Sequence, residues 1–166
     1  LLGKSVTRFV IPAANRKRYE QLQKMLAEFP ELDGKVTLLE GQSRKAMTAS
    51  NVVLVNSGTA TLEAMLLRKP MVMSYRVGKI TYGIVSRLVT TEWFALPNIL
   101  AGRRIVPEFI QDAAVPSVMA SAVRRLLDEK EASDVIATFD EIHLLLKKSV
   151  DPGAEAAKAV LGLCES

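Results

Sequence analysis

Ser57, Gly58 and Thr59, with Glu63 one helical turn beyond Thr59, are the residues of this sequence best suited to chemistry on an anionic ligand. The first turn of a helix leaves backbone N–H groups without intrahelical partners and carries partial positive charge, so small residues there readily hold phosphate. Residues four apart share a helix face, which puts Glu63 on the side of Thr59. Its carboxylate can accept hydrogen bonds from sugar hydroxyls while the N–H groups hold phosphate. A nucleotide sugar offers both groups. A plainer reading stands beside this one: Gly58 serves a positive φ angle, Thr59 caps the helix, and Glu63 is a solvated helix side chain.

Other residues narrow the chemistry. The segments after the expected strands are Pro12 to Arg18, Gly41 to Arg44, Asn56 to Thr59, Arg76 to Lys79 and Leu96 to Arg104, and four of these five carry Arg or Lys. Such loops suit an anionic ligand, or are simply polar surface. Asn98 is polar within an apolar run, so its amide either satisfies a turn or meets a ligand. Ser57 lacks the flanking glycines of a nucleophile elbow, and the single histidine, His143, lies beside the apolar stripe of a distant helix. Neither a P-loop nor a Gly-x-Gly-x-x-Gly fingerprint occurs. The one cysteine, Cys164, excludes an internal disulfide and reads as a bystander thiol.

The elements that must position these residues alternate. Thr7 to Ile11 reads as a strand stopped by Pro12, Asn15 to Glu28 as an amphipathic helix, and Val36 to Leu39 as a second strand. Ser43 to Ala49 makes two helical turns with Ser43 as N-cap. The apolar, mostly β-branched Val52 to Val55 suits a strand buried on both faces, which hands the chain to a helix from about Thr59 to Leu67. Met71 to Tyr75 is a fourth strand, Ile80 to Leu88 a helix, and Glu92 to Ala95 a short fifth strand. Beyond Asn98, Ile105 to Gln111 reads as a short helix, Pro116 begins another, and Ser133 or Asp134 caps a long one with Val135, Phe139, Ile142 and Leu146 as its stripe. The fold class is therefore α/β: a Rossmann-like, doubly wound parallel sheet of about five strands with an all-helical C-terminal tail. Residues 1–110 are expected to form the ligand-binding part and 111–166 the helices packing on it.

With 166 residues, 49% hydrophobic and 24% charged, the chain can build a real core, and no apolar run is long enough to span a bilayer. A cytoplasmic location follows by default. Residues 1–110 carry net +8 and residues 111–166 net −4, so only the first part suits phosphates or an anionic surface. Nucleic acid is a poor partner, because aromatic residues make up 5% of the chain and do not interleave with basic runs.

Three stretches carry a resemblance: Ser57 to Glu63, Lys69-Pro70-Met71-Val72 with Tyr75-Arg76, and Leu96-Pro97-Asn98-Ile99-Leu100-Ala101-Gly102-Arg103. Together they resemble the lipid-A-disaccharide synthases, B-type glycosyltransferases of lipid A and lipopolysaccharide synthesis in Gram-negative bacteria. The chain looks like most of the C-terminal, nucleotide-sugar-binding domain of that family. The resemblance implies transfer from UDP-2,3-diacylglucosamine to 2,3-diacylglucosamine 1-phosphate, forming a β(1→6) disaccharide and releasing UDP, with no metal or other cofactor. It implies Ser57, Gly58 and Thr59 on the UDP diphosphate, Glu63 on the ribose, and Asn98 and Arg103 close to the reaction centre. Arg16 would lie near the same cleft. The departures are Thr61, where the family usually has Ala, and Ser74, where Gly is common.

The resemblance also implies what is expected upstream of Leu1: the acceptor domain with its general base, and the first strand of this domain. The chain is therefore expected to be an incomplete, inactive fragment whose missing strand leaves an open edge or is replaced by a partner chain, with a homodimer as one outcome. Both substrates are acylated, which implies peripheral attachment to the inner membrane. Lys79 and Arg87, flanking the apolar residues of Ile80 to Val89 with Trp93-Phe94 behind, either form an interfacial patch or belong to core packing. Another B-type transferase or a UDP-sugar epimerase shares the Ser-Gly-helix-Glu layout, and the Pro-Asn-x-Leu-Ala-Gly-Arg segment separates the synthase from them; a non-catalytic nucleotide-binding module is told apart by calorimetry, through UDP binding lost in Glu63→Ala against a preference for ATP.

Overall fold

The computed structural model describes residues 8–56, 58–78 and 92–148, together with Gly153, Ala157, Val160 and Leu161, which are helical. Strands β1 (Phe9–Ala13), β2 (Val36–Glu40), β3 (Val53–Val55), β4 (Met71–Tyr75) and β5 (Glu108–Ile110) alternate with helices α1 (Arg16–Leu26), α2 (Ser43–Ala49), α3 (Gly58–Leu66) and α4 (Leu96–Ala101). Two further helices follow, α5 (Pro116–Leu126) and the long α6 (Glu129–Lys148). Every pairing is parallel, as the alternation requires. Among the described residues the strands form two sheets, β1-β2 and β3-β4-β5, where the sequence suggests one. Among the described residues β1 pairs only with β2, and β3 only with β4. Val10 on β1 and Leu54 on β3 are exposed, Leu54 by 55%.

β4 is the centre of the larger sheet, and Met71, Val72 and Met73 are all buried, as a strand covered on both faces demands. Four methionines, Met47, Met65, Met71 and Met73, join Val53, Val55, Ala64, Val106, Phe139 and Ile142 in one core. Unbranched, flexible thioethers fill the uneven space between sheet and helices. The stripe on α6 holds at Phe139 and Ile142, whereas Leu146 is 41% exposed. His143 is half-buried beside it.

Four local expectations are corrected. β1 runs through Pro12, which aligns with Leu39, because the ladder bonds fall on alternate residues: Phe9 N–H donates to Lys35 and the Ala13 carbonyl accepts from Gly41. The Pro12 nitrogen therefore faces the open edge, where a missing N–H costs no ladder bond. Glu92 to Ala95 is irregular, since the N–H groups of Phe94 and Ala95 bond the Glu108 carboxylate instead of a strand. Residues within Ile105 to Gln111 form β5, drawn onto the free edge of β4, where Met73 N–H already bonds the Pro107 carbonyl at 2.9 Å. Finally, the caps move. Asp128, whose carboxylate accepts from the N–H groups of Lys130 and Glu131, opens α6 five or six residues earlier than expected. Gln42, in the left-handed region at φ 60°, precedes α2 without a side-chain cap bond, and Ser43 is the first helical residue.

Candidate functional site

In an open parallel sheet a ligand binds beyond the carboxyl ends of the strands. The start of α3 lies there, just past β3, as do Arg76 to Gly78 past β4 and Gln111 past β5. Ser57 lies outside the described residues. Gly58 does not adopt a positive φ, which removes that explanation for it. A Cβ at Gly58 would stand 3.4 Å from the Phe94 carbonyl oxygen, an ordinary contact, so the start of α3 lies beside the Phe94–Leu96 segment. Among the described residues the N–H groups of Gly58 and Thr59 and the carboxylate of half-buried Glu63 have no partner, and the exposed Thr59 side chain borders them. An anion at this helix start would meet two backbone donors and the positive end of the dipole.

The departure at Thr61 has a structural use. This fully buried side chain donates to the Gly58 carbonyl and accepts from the Leu96 N–H at 3.1 Å, tying α3 to the start of α4. An alanine at this position could form neither bond.

Asn98 is wholly buried, and its amide is fully used. Nδ2 donates to the Val106 carbonyl at 2.9 Å and to Glu108 Oε1 at 2.7 Å, while Oδ1 accepts from the N–H groups of Ile105 and Val106, each at 2.8 Å. Of the two readings the sequence leaves open, this geometry is the turn: Asn98 folds Gly102 to Val106 back upon α4, with Gly102 at φ 62° as the helix C-cap. Arg103 is exposed, and its guanidinium lies 3.5 Å from the Thr138 hydroxyl on α6. Arg16 opens α1, next to the smaller sheet. It bonds Glu20 at 3.0 Å, lies 3.7 Å from Glu40 and stacks over Tyr19, and the Glu20 hydrogen bond and charge push its pKa up.

The structure thus joins Gly58, Thr61 and Asn98 through the Phe94–Leu96 segment, and leaves Arg16 and Arg103 bound to other neighbours. Two contributors escape a sequence reading. Glu108 accepts from the N–H groups of Phe94 and Ala95, both at 2.9 Å, as well as from Asn98. Gln111, at φ 51°, pairs both ends of its amide with the backbone of Val77, at 2.9 and 3.0 Å. A Glu and a Gln in an unremarked polar-apolar run carry no signal until β5 is known. A cavity of about 850 Å³ lies elsewhere, between Arg104, Pro107, Val118, Leu126 and Lys130, toward the amino end of β5 and away from this edge.

Against known proteins, the family described as Lipid-A-disaccharide synthetase matches residues 3–159. The chain belongs to the lipid-A-disaccharide synthase family. It is 48% identical over 158 residues to the synthase of Pseudomonas aeruginosa, covering 95% of this chain and 40% of that protein. It is 47% identical to that of Alcanivorax borkumensis over 92% of the chain, and 44% identical to that of Azotobacter vinelandii over 95%. In all three cases the chain spans about two-fifths of the relative's length. Among the described residues of this synthase family member, no helix is long and apolar enough to cross a membrane.

Proposed function

We propose that this chain is the donor-binding part of a lipid-A-disaccharide synthase, a hexosyltransferase of lipid A synthesis. In this reading the whole protein transfers 2,3-diacylglucosamine from its UDP donor to 2,3-diacylglucosamine 1-phosphate. The product is a β(1→6) disaccharide and the leaving group is UDP. The observation that carries the reading is the start of α3, where two backbone N–H groups without a partner among the described residues stand one turn before Glu63, in a chain matched to the family over residues 3–159.

The chemical task is to stabilise UDP as it departs with growing negative charge. Donors fixed before the reaction do this at little reorganisation cost, and the Gly58 and Thr59 amides are such donors. Ser57 would complete the phosphate loop, Glu63 would take the ribose hydroxyls, and Arg16 and Arg103 would swing from their exposed partners to the donor's phosphates or sugar. No metal or other cofactor is assigned to the step. Asn98 acts by holding the loop that presents Arg103. The general base and the acceptor site belong to the part of the protein outside this chain.

Acylated substrates place the work at the cytoplasmic face of the inner membrane, with the protein bound peripherally, and a homodimer is the oligomer proposed. Lys79 and Arg87, the residues proposed for that surface, lie outside the described residues. The test is transfer by the full-length protein. Disaccharide and UDP formed together from the two substrates support the reading, and donor hydrolysis or epimerisation without disaccharide would sink it.

A further inference from the structure

Glu108 opens β5 opposite Met73, half-buried, and its carboxylate gathers three N–H donors. Oε2 accepts from Phe94, and Oε1 from Ala95 and the Asn98 amide. Bonds to an ionised acceptor are roughly twice as strong as neutral ones, and two consecutive backbone amides on the two oxygens of one carboxylate fix the peptide between them. That peptide is where α4 meets α3. The Phe94 carbonyl is the atom nearest to a would-be Cβ on Gly58, and Leu96 N–H bonds Thr61, whose hydroxyl bonds the Gly58 carbonyl. Glu108 therefore reaches Gly58 by two routes, one through Phe94 and one through Leu96 and Thr61.

We propose that Glu108 is a positioning residue for the nucleotide sugar: it holds Phe94–Leu96 in register with the first turn of α3, so that the Gly58 and Thr59 amides keep their aim at the diphosphate. The role rests on the reading of that turn as the nucleotide site. A glutamine at 108 keeps the size but not the function. One of its two oxygen positions becomes an NH2 group, which confronts a backbone N–H that also donates. The misplaced peptide carries the Phe94 carbonyl and the Leu96 N–H with it, and so disturbs both routes to Gly58.

The experiment uses the full-length protein as wild type, Glu108→Gln and Glu108→Ala, with UDP titrated by calorimetry and donor and acceptor KM measured separately. In Glu108→Gln the Kd for UDP and the donor KM rise about tenfold, equivalent to 1.4 kcal/mol, while the acceptor KM stays within about twofold. A merely structural carboxylate would lower the unfolding midpoint and the active fraction but leave the Kd of the folded protein unchanged. That outcome in Glu108→Gln overturns the proposal, and it can be read even if Glu108→Ala does not fold. Wild type that fails to bind UDP overturns the nucleotide reading and this role with it; wild type that binds, with an unmoved Kd in the variant, overturns the role of Glu108 alone.

Discussion

Asn98 gives one side-chain hydrogen to the carboxylate of Glu108 at 2.7 Å and the other to the Val106 carbonyl, with no exposed surface. An amide so placed works through the backbone it organises. Buried donors and acceptors left unpaired cost about 1–3 kcal/mol each, so Asn98→Ala, which strands the N–H groups of Ile105 and Val106, loses about 3 kcal/mol or more. Urea unfolding of the full-length protein, followed by a probe in this domain, measures it. A loss below about 1 kcal/mol would mean that water replaces the amide.

Thr61→Val keeps the shape and removes the acceptor of Leu96 N–H. A cost of about 1–2 kcal/mol in thermal unfolding is expected, with Thr61→Ser close to wild type in hydrogen bonding. Equal losses in the two variants would assign the effect to packing instead.

Gln111 substitutes for a strand neighbour by pairing both amide ends with Val77. Removing them in Gln111→Ala frees the Val77 N–H, whose hydrogen exchange is expected to quicken by about tenfold or more. Unchanged protection at Val77, read by mass spectrometry or NMR, counts against the clamp.

Much of this arrangement is legible in the sequence, and the rest is hidden for identifiable reasons. β4 falls where Met71 to Tyr75 is expected, and α5 begins at Pro116, because an unbroken apolar run and a proline at a helix start are strong local signals. β5 has three residues, too few for any periodicity, and exists because β4 offers it an edge. With β5 unseen, Glu108 has no visible partner, and Asn98 stays undecided between turn and ligand. Asp128 was within reach, since Asp128 and Glu131 have the spacing of a capping box, but the apolar stripe draws attention to Ser133 and Asp134 instead. Pro12 is misleading for the opposite reason: a strong breaker is harmless where its nitrogen faces an open edge.

That open edge has its own consequence. Among the described residues β1 pairs only with β2 and β3 only with β4, and Val10 and Leu54 are exposed on them. The 166-residue chain produced alone is expected to self-associate at micromolar concentration, whereas the full-length protein gives a defined species. Light scattering compares them, and a stable monomer of the isolated chain would show that the edges are protected.

The central claim is that the start of α3 and Glu63 hold the nucleotide of the donor, and calorimetric titration of the full-length protein with UDP tests it most directly. UDP should bind in preference to ATP, and Glu63→Ala should weaken it about tenfold through the loss of charge-assisted bonds to the ribose, with the unfolding midpoint nearly unchanged for this half-buried side chain. Equal UDP affinity in Glu63→Ala and wild type, or a preference for ATP, would contradict the account.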